Sequence, residues 1–189
     1  MRNIFAGLLL LLGITAVEKQ ASAEALDYEQ AIHLDAEALA EFGIKDAYAK
    51  LIPVMARHGI VLAPLIEEIA PNGEAYAVSI GSNRYVVFEA RNLKATTIDL
   101  LWGMAASMFF KLVNDQLEQT PFRFYALNGG NDLMGMVLTP EQAEASKSAI
   151  DNHEDWPYFP EHSAPWYGQY HSEGSVIPWW VSVARKLKQ

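Results

Sequence analysis

Residues 122–142, FRFYALNGGNDLMGMVLTPEQ, decide how this chain reads. Apolar positions alternate on both sides of Asn128-Gly129-Gly130-Asn131-Asp132, the densest run of residues tolerant of positive φ in the sequence. The stretch predicts two strands joined by a tight polar turn. Thr139-Pro140-Glu141-Gln142 follows at once, with a threonine N-cap, proline in the first helical position and glutamine three residues past the cap. That is a capping box, so a short helix over about 140–150 starts where the second strand ends.

Immediately upstream lies the strongest helical pattern, from Thr96 or Thr97 to about Gln119. Ile98, Leu101, Trp102, Ala105, Phe109, Leu112 and Gln116 recur at helical spacing. Leu100, Met104, Phe110 and Val113 widen the apolar arc, which predicts near-complete burial of the first half. Gly103, Ala106 and Ser107 are small enough to let another element approach closely. Asp99 and Lys111 bracket fewer apolar residues than the ~20 a bilayer span needs. Pro121 stops the helix before the hairpin.

Further back, three segments alternate like an antiparallel meander. Ile60 to Ile69 is apolar, but Pro64 demotes it to an edge or interrupted strand. Pro71-Asn72-Gly73 turns the chain into Tyr76, Val78 and Ile80, which alternate with small residues. Gly81-Ser82-Asn83 turns it again into Arg84 to Glu89, rich in strand formers. The N-terminal part reads as two helices. Glu24 to Gly43 carries two competing N-caps, Asp27 and Asp35, and Asp46 to Arg57 contains Pro53, which is expected to kink or split it. The whole is α+β: an antiparallel sheet of about five strands, meander plus hairpin, packed on a long central helix, with N-terminal helices and an aromatic, irregular C-terminal tail.

Arg2, the apolar run Ile4 to Val17 and the small residues Ala21-Ser22-Ala23 have the layout of a secretory signal peptide cleaved after residue 23. Residues 24–189 then form one domain, of a size that buries a core without disulfides; the chain has no cysteine. The expected location is a bacterial periplasm or the exterior. Losing Arg2, Lys19 and Glu18 turns 14 basic and 23 acidic residues into 12 and 22, moving the net charge from −9 to −10. Such a charge opposes binding to nucleic acid or anionic lipid and suits a basic protein partner.

Signatures of catalysis are few. There is no Gly-x-Ser-x-Gly elbow, Walker loop or dinucleotide fingerprint, and a hairpin turn accounts for Gly129-Gly130. His33, His58, His153, His162 and His171 show no close ligand spacing, so no metal or cofactor is expected. Glu67, Glu68, Asp132 and Asp155 fall near strand ends or turns, where a carboxylate pair would sit in a glycosidase. Helix capping and solubility explain most of the acidic residues.

The tail is the most distinctive part. Trp156, Tyr158, Phe159, Trp166, Tyr167 and Tyr170, followed by Trp179 and Trp180, supply either a packed cover for the sheet or binding area of low entropic cost. The expected partner-binding residues are Trp156, Tyr158, Phe159, Trp166, Tyr167 and Tyr170, with Asn128, Asn131 and Asp132 at the hairpin tip as neighbouring contacts. The sequence thus points to an exported, non-enzymatic protein-binding module, such as an inhibitor or immunity-type partner of an envelope or secreted protein. The alternatives are a cell-envelope hydrolase with a carboxylate pair and a glycan-binding or structural periplasmic protein.

Overall fold

The structure, a computed structural model, describes residues 26–95 and 98–161. The expected signal peptide, the Thr96–Thr97 start of the long helix, and Trp166, Tyr167, Tyr170, Trp179 and Trp180 lie outside the described residues. The fold is α+β.

Meander and hairpin each form, in separate three-stranded antiparallel sheets. Strands β2 (Leu65–Ile69), β3 (Tyr76–Ile80) and β4 (Asn83–Phe88) pair in the order β2-β3-β4. Pro64 immediately precedes β2, which is an edge strand, as its missing N–H requires. The hairpin is β5 (Arg123–Leu127) with β6 (Met134–Leu138), and a short β1 (Ile32–His33) joins β6 to give the order β1-β6-β5.

The helix α4 (Ile98–Leu117) runs between the sheets and packs on β4 and β5. Ala105, Phe109, Leu112, Val113 and Leu117 are fully buried along it. Its small residues do admit a close neighbour: Ala106 is fully buried and Ser107 is buried, with the helical segment 36–43 packed against α4. A short helix α3 (Ala90–Ala95) precedes it. No helix among the described residues is long and apolar enough to cross a membrane.

The single helix expected over 24–43 is corrected. Asp27 caps only one turn, Tyr28–Gln30, its carboxylate accepting from Glu29 N at 3.2 Å. The chain then extends so that Ile32 and His33 pair with Gly135 and Met134. Asp35 starts a second turn, α1 (Ala36–Ala38), accepting from Glu37 N at 3.0 Å and Ala38 N at 3.3 Å. Both caps are real, and the strand between them is what an i-to-i+4 reading misses. The run ends at a corner where Phe42 takes φ 68°, held by its ring on Tyr76 (5.1 Å) and Phe88 (6.0 Å).

Pro53 does not split the second helix. α2 (Ile44–Arg57) runs through it, because Pro53 and Ala49 lie on the exposed side, where the carbonyl left without an N–H partner meets water. The turn of the hairpin is also longer than expected. Leu127 pairs with Met134, so six residues connect the strands, with a 3-10 turn over Gly130–Asp132 and Leu133 folded into the core. The capping box forms as read: Gln142 N donates to Thr139 Oγ1 at 3.2 Å and Thr139 N to Gln142 Oε1 at 2.9 Å, opening α5 (Pro140–Lys147).

The hairpin sheet has two buried faces. Phe124, Ala126 and Val137 join the main core with α4. Tyr125, Leu127, Met136 and Leu138 form a second cluster with Ala143 of α5, against which Leu26 and Ala31 pack. This two-sided cover makes room for the aromatic segment at the edge of β5.

Candidate functional site

The outer edge of β5 is closed by two unrelated devices. Near its start, the Asn114 carboxamide of α4 engages Phe124, with Nδ2 donating to its carbonyl and Oδ1 accepting from its N–H, both at 2.8 Å. Two residues on, Tyr158 bridges Ala126: Ala126 N donates to Tyr158 O at 2.8 Å and Tyr158 N to Ala126 O at 3.0 Å. The beginning of the aromatic segment is therefore a one-residue extension of the sheet.

That bridge sorts the aromatics by face. Tyr158 turns into the main core, and its hydroxyl donates to Asn128 O at 2.6 Å, pinning the hairpin connection where Asn128 holds φ 56°. Phe159 turns to the other face and stacks on Tyr125, centroids 4.5 Å apart and planes 25° from parallel, while staying 46% exposed. Trp156 is half-buried, its Nε1 donating to Ile150 O at 2.9 Å. His153 meets its ring edge-on at 6.1 Å, and Lys147 Nζ of α5 sits 5.8 Å from its centroid. Burial pushes the Tyr125 phenol above its ordinary range.

Of the residues picked from sequence, Tyr158 and Asn128 are in direct contact, and Phe159 and Trp156 belong to the same short segment. Asn131 and Asp132 stand exposed on the 3-10 turn of the hairpin connection. Trp166, Tyr167 and Tyr170 lie outside the described residues. Sequence reasoning passed over Tyr125, Lys147 and Asn114. Tyr125 had a usable signal, since alternation with the core residues Phe124 and Ala126 puts it on the opposite face. Asn114 had none beyond its place near the polar end of α4.

Of the four carboxylates picked from sequence, Glu67, Glu68 and Asp155 are tied into separate local contacts. Glu67 and Glu68 are adjacent in β2 and point to opposite faces. Glu67 accepts from the Tyr76 hydroxyl at 2.6 Å and from Lys45 N at 3.3 Å, which caps the start of α2 in place of the side chain that Gly43 lacks. Burial, and next this carboxylate partner, raise the Tyr76 phenol far above its ordinary range. Glu68 accepts from Ser79 Oγ at 2.6 Å and Arg84 Nε at 2.7 Å, contacts that lower its pKa. Asp155 is engaged by Asn152 Nδ2 at 3.2 Å. Among the described residues no three histidines or carboxylates are grouped as metal ligands.

Fold and site together define an α+β protein that carries an aromatic stack, Phe159 on Tyr125, at the edge of one of its two sheets. No protein-family model, curated protein or solved structure matches the chain.

Proposed function

We propose that the protein is an exported, non-enzymatic binding module that recognises another protein through the Phe159–Tyr125 platform, in the manner of an inhibitor or immunity-type partner. The observation that carries this reading is a large apolar ring, Phe159, held half-exposed by a stacked neighbour and a backbone bridge one residue away. An exposed aromatic fixed in this way loses little side-chain entropy on binding, and such residues dominate interface energetics. Trp156, three residues before Phe159, and the exposed Asn131 and Asp132 of the hairpin connection are further candidates for such a contact. The strong negative charge suits a basic partner, steering encounter more than setting affinity. The signal-like stretch over residues 1–23 supports work in a periplasm or outside the cell.

The test is capture from a periplasmic extract on the immobilised chain lacking residues 1–23, alongside Phe159→Ala and Trp156→Ala. One protein should be retained by the parent chain, and Phe159→Ala should weaken it by about 2 kcal/mol, roughly thirtyfold, with the fold intact. Equal retention by all three chains, or retention of nothing, would sink the proposal.

A further inference from the structure

Asparagine precedes glycine twice in the chain, at Asn72-Gly73 and Asn128-Gly129. Such a pair is chemically labile, because glycine carries no side chain to keep its backbone nitrogen away from the asparagine carboxamide. Both pairs lie in connections between antiparallel strands, the first joining β2 to β3 and the second β5 to β6. Their surroundings differ. Gly73 N donates to Ala70 O at 2.8 Å. The Asn72 carboxamide is held at both ends: Oδ1 accepts from Glu74 N at 3.2 Å, and Nδ2 donates to Glu74 Oε2 at 2.8 Å. Attacking nitrogen and target carbon are both restrained there, although Asn72 is exposed. At the second pair, neither Gly129 N nor the Asn128 carboxamide has a hydrogen bond among the described residues. The carbonyl of that same peptide unit, Asn128 O, accepts from the Tyr158 hydroxyl at 2.6 Å. Such a bond polarises the peptide group and makes its N–H more acidic.

We infer that Asn128 is a site of spontaneous deamidation in the folded chain, through a succinimide, and that the fold protects Asn72 from the same reaction. Gly129 N gives its proton to hydroxide and attacks Asn128 Cγ, forming the ring-closing N–C bond. The Cγ–Nδ2 bond breaks, and the amine leaves as ammonia with a proton from water. Water then opens the ring at either carbonyl, giving aspartate or isoaspartate. Either product adds a negative charge to the hairpin connection. Isoaspartate also reroutes the backbone through Cβ, so the carbonyl that Tyr158 holds becomes a free carboxylate. The reaction needs no partner protein, and it stands or falls independently of the Phe159 platform.

The test is to age the chain in mildly alkaline buffer, folded or in concentrated urea, and to follow both asparagines by peptide mapping with tandem mass spectrometry. In the folded chain Asn128 should convert at least about tenfold faster than Asn72, since three hydrogen bonds must yield at Asn72-Gly73 and none at Asn128-Gly129. The products at Asn128 should include isoaspartate, the mark of a succinimide. In urea these contacts are gone, and the two rates should converge. A folded-state ratio below about tenfold would overturn the inference. So would a ratio that persists in urea, conversion of Asn128 to aspartate alone, or its conversion only in urea.

Discussion

Asn114 and Phe124 are joined by two reciprocal hydrogen bonds of 2.8 Å, so a helix side chain serves β5 as a missing strand would. The carboxamide matches a peptide unit, with one donor and one acceptor side by side. It seals the strand edge beside the Tyr158 bridge, and a third bond from Nδ2 to Phe110 O at 3.0 Å anchors it to its own helix. Asn114→Ala strands the N–H and carbonyl of a fully buried residue, with an expected cost of about 2–3 kcal/mol. Asn114→Asp keeps the acceptor but loses the donor and should cost a comparable amount at neutral pH. Urea midpoints measure both, and a loss below about 0.5 kcal/mol would show that water replaces the clamp.

Gly135 faces the Phe124 ring across the β5–β6 pair. A Cβ at Gly135 would lie 2.6 Å from Phe124 Cε2 and 2.8 Å from Cε1, closer than side chains pack. The ring cannot easily yield, because it stacks on Phe110 at 4.8 Å and meets Phe109 edge-on at 6.2 Å. Gly135→Ala should therefore cost about 3 kcal/mol, the upper end for overpacking. Adding Phe124→Leu should recover part of it, giving a positive coupling in a double-mutant cycle. Strict additivity of the two changes would refute the steric account.

The hairpin, meander and long helix were legible because each rests on local chemistry. Alternation sets the strands, and Thr139 with Gln142 sets the start of α5. The division into two sheets was not legible, since nothing in β4 or β5 states which strand lies beside it. The short β1 was hidden for the same reason: Ile32 and His33 are strand only through Gly135 and Met134, a hundred residues away. In the site, aromatic content marked Trp156 and Phe159, but not the stacking partner Tyr125. Chain direction through the Tyr158 bridge decides that contact, and composition carries no trace of it.

Glu68 and Tyr85 are two of the groups that give stability a pH dependence of predictable sign. The Ser79 hydroxyl and the Arg84 guanidinium hold Glu68 below its ordinary 4.5, so its contribution is present above that pH and is lost as acid protonates the folded form. Burial, and next the Asp115 carboxylate, push the Tyr85 phenol up to about 12. Its contribution is complete below pH 10 and disappears as pH rises from 10 toward 12. Glu68→Gln should flatten the acid limb of urea midpoint against pH, and Tyr85→Phe should reduce the alkaline slope, leaving the share due to Tyr76 and the other raised phenols, Tyr28, Tyr48 and Tyr125. An alkaline limb unchanged in Tyr85→Phe would show that this phenol ionises normally.

Tyr158 links the aromatic segment to the hairpin connection, and its two attachments can be separated. The backbone bridge to Ala126 survives any side-chain change, whereas the 2.6 Å bond to Asn128 O needs the hydroxyl. Tyr158→Phe keeps the ring in the main core and removes only that bond, at an expected cost of about 1 kcal/mol. Asn128 pays for its left-handed backbone at φ 56°, and losing the hydroxyl should loosen the connection from Asn128 to Asp132 first. Faster amide exchange is therefore expected over residues 128–132, with the exchange of Ala126 and the emission of Trp156 unchanged. Replacing Asn128 with glycine in the Tyr158→Phe background should restore part of the stability, because glycine adopts positive φ without strain. If exchange instead rises across Ala126 and Phe159, the hydroxyl holds the whole segment, and bridge and tip form one cooperative unit.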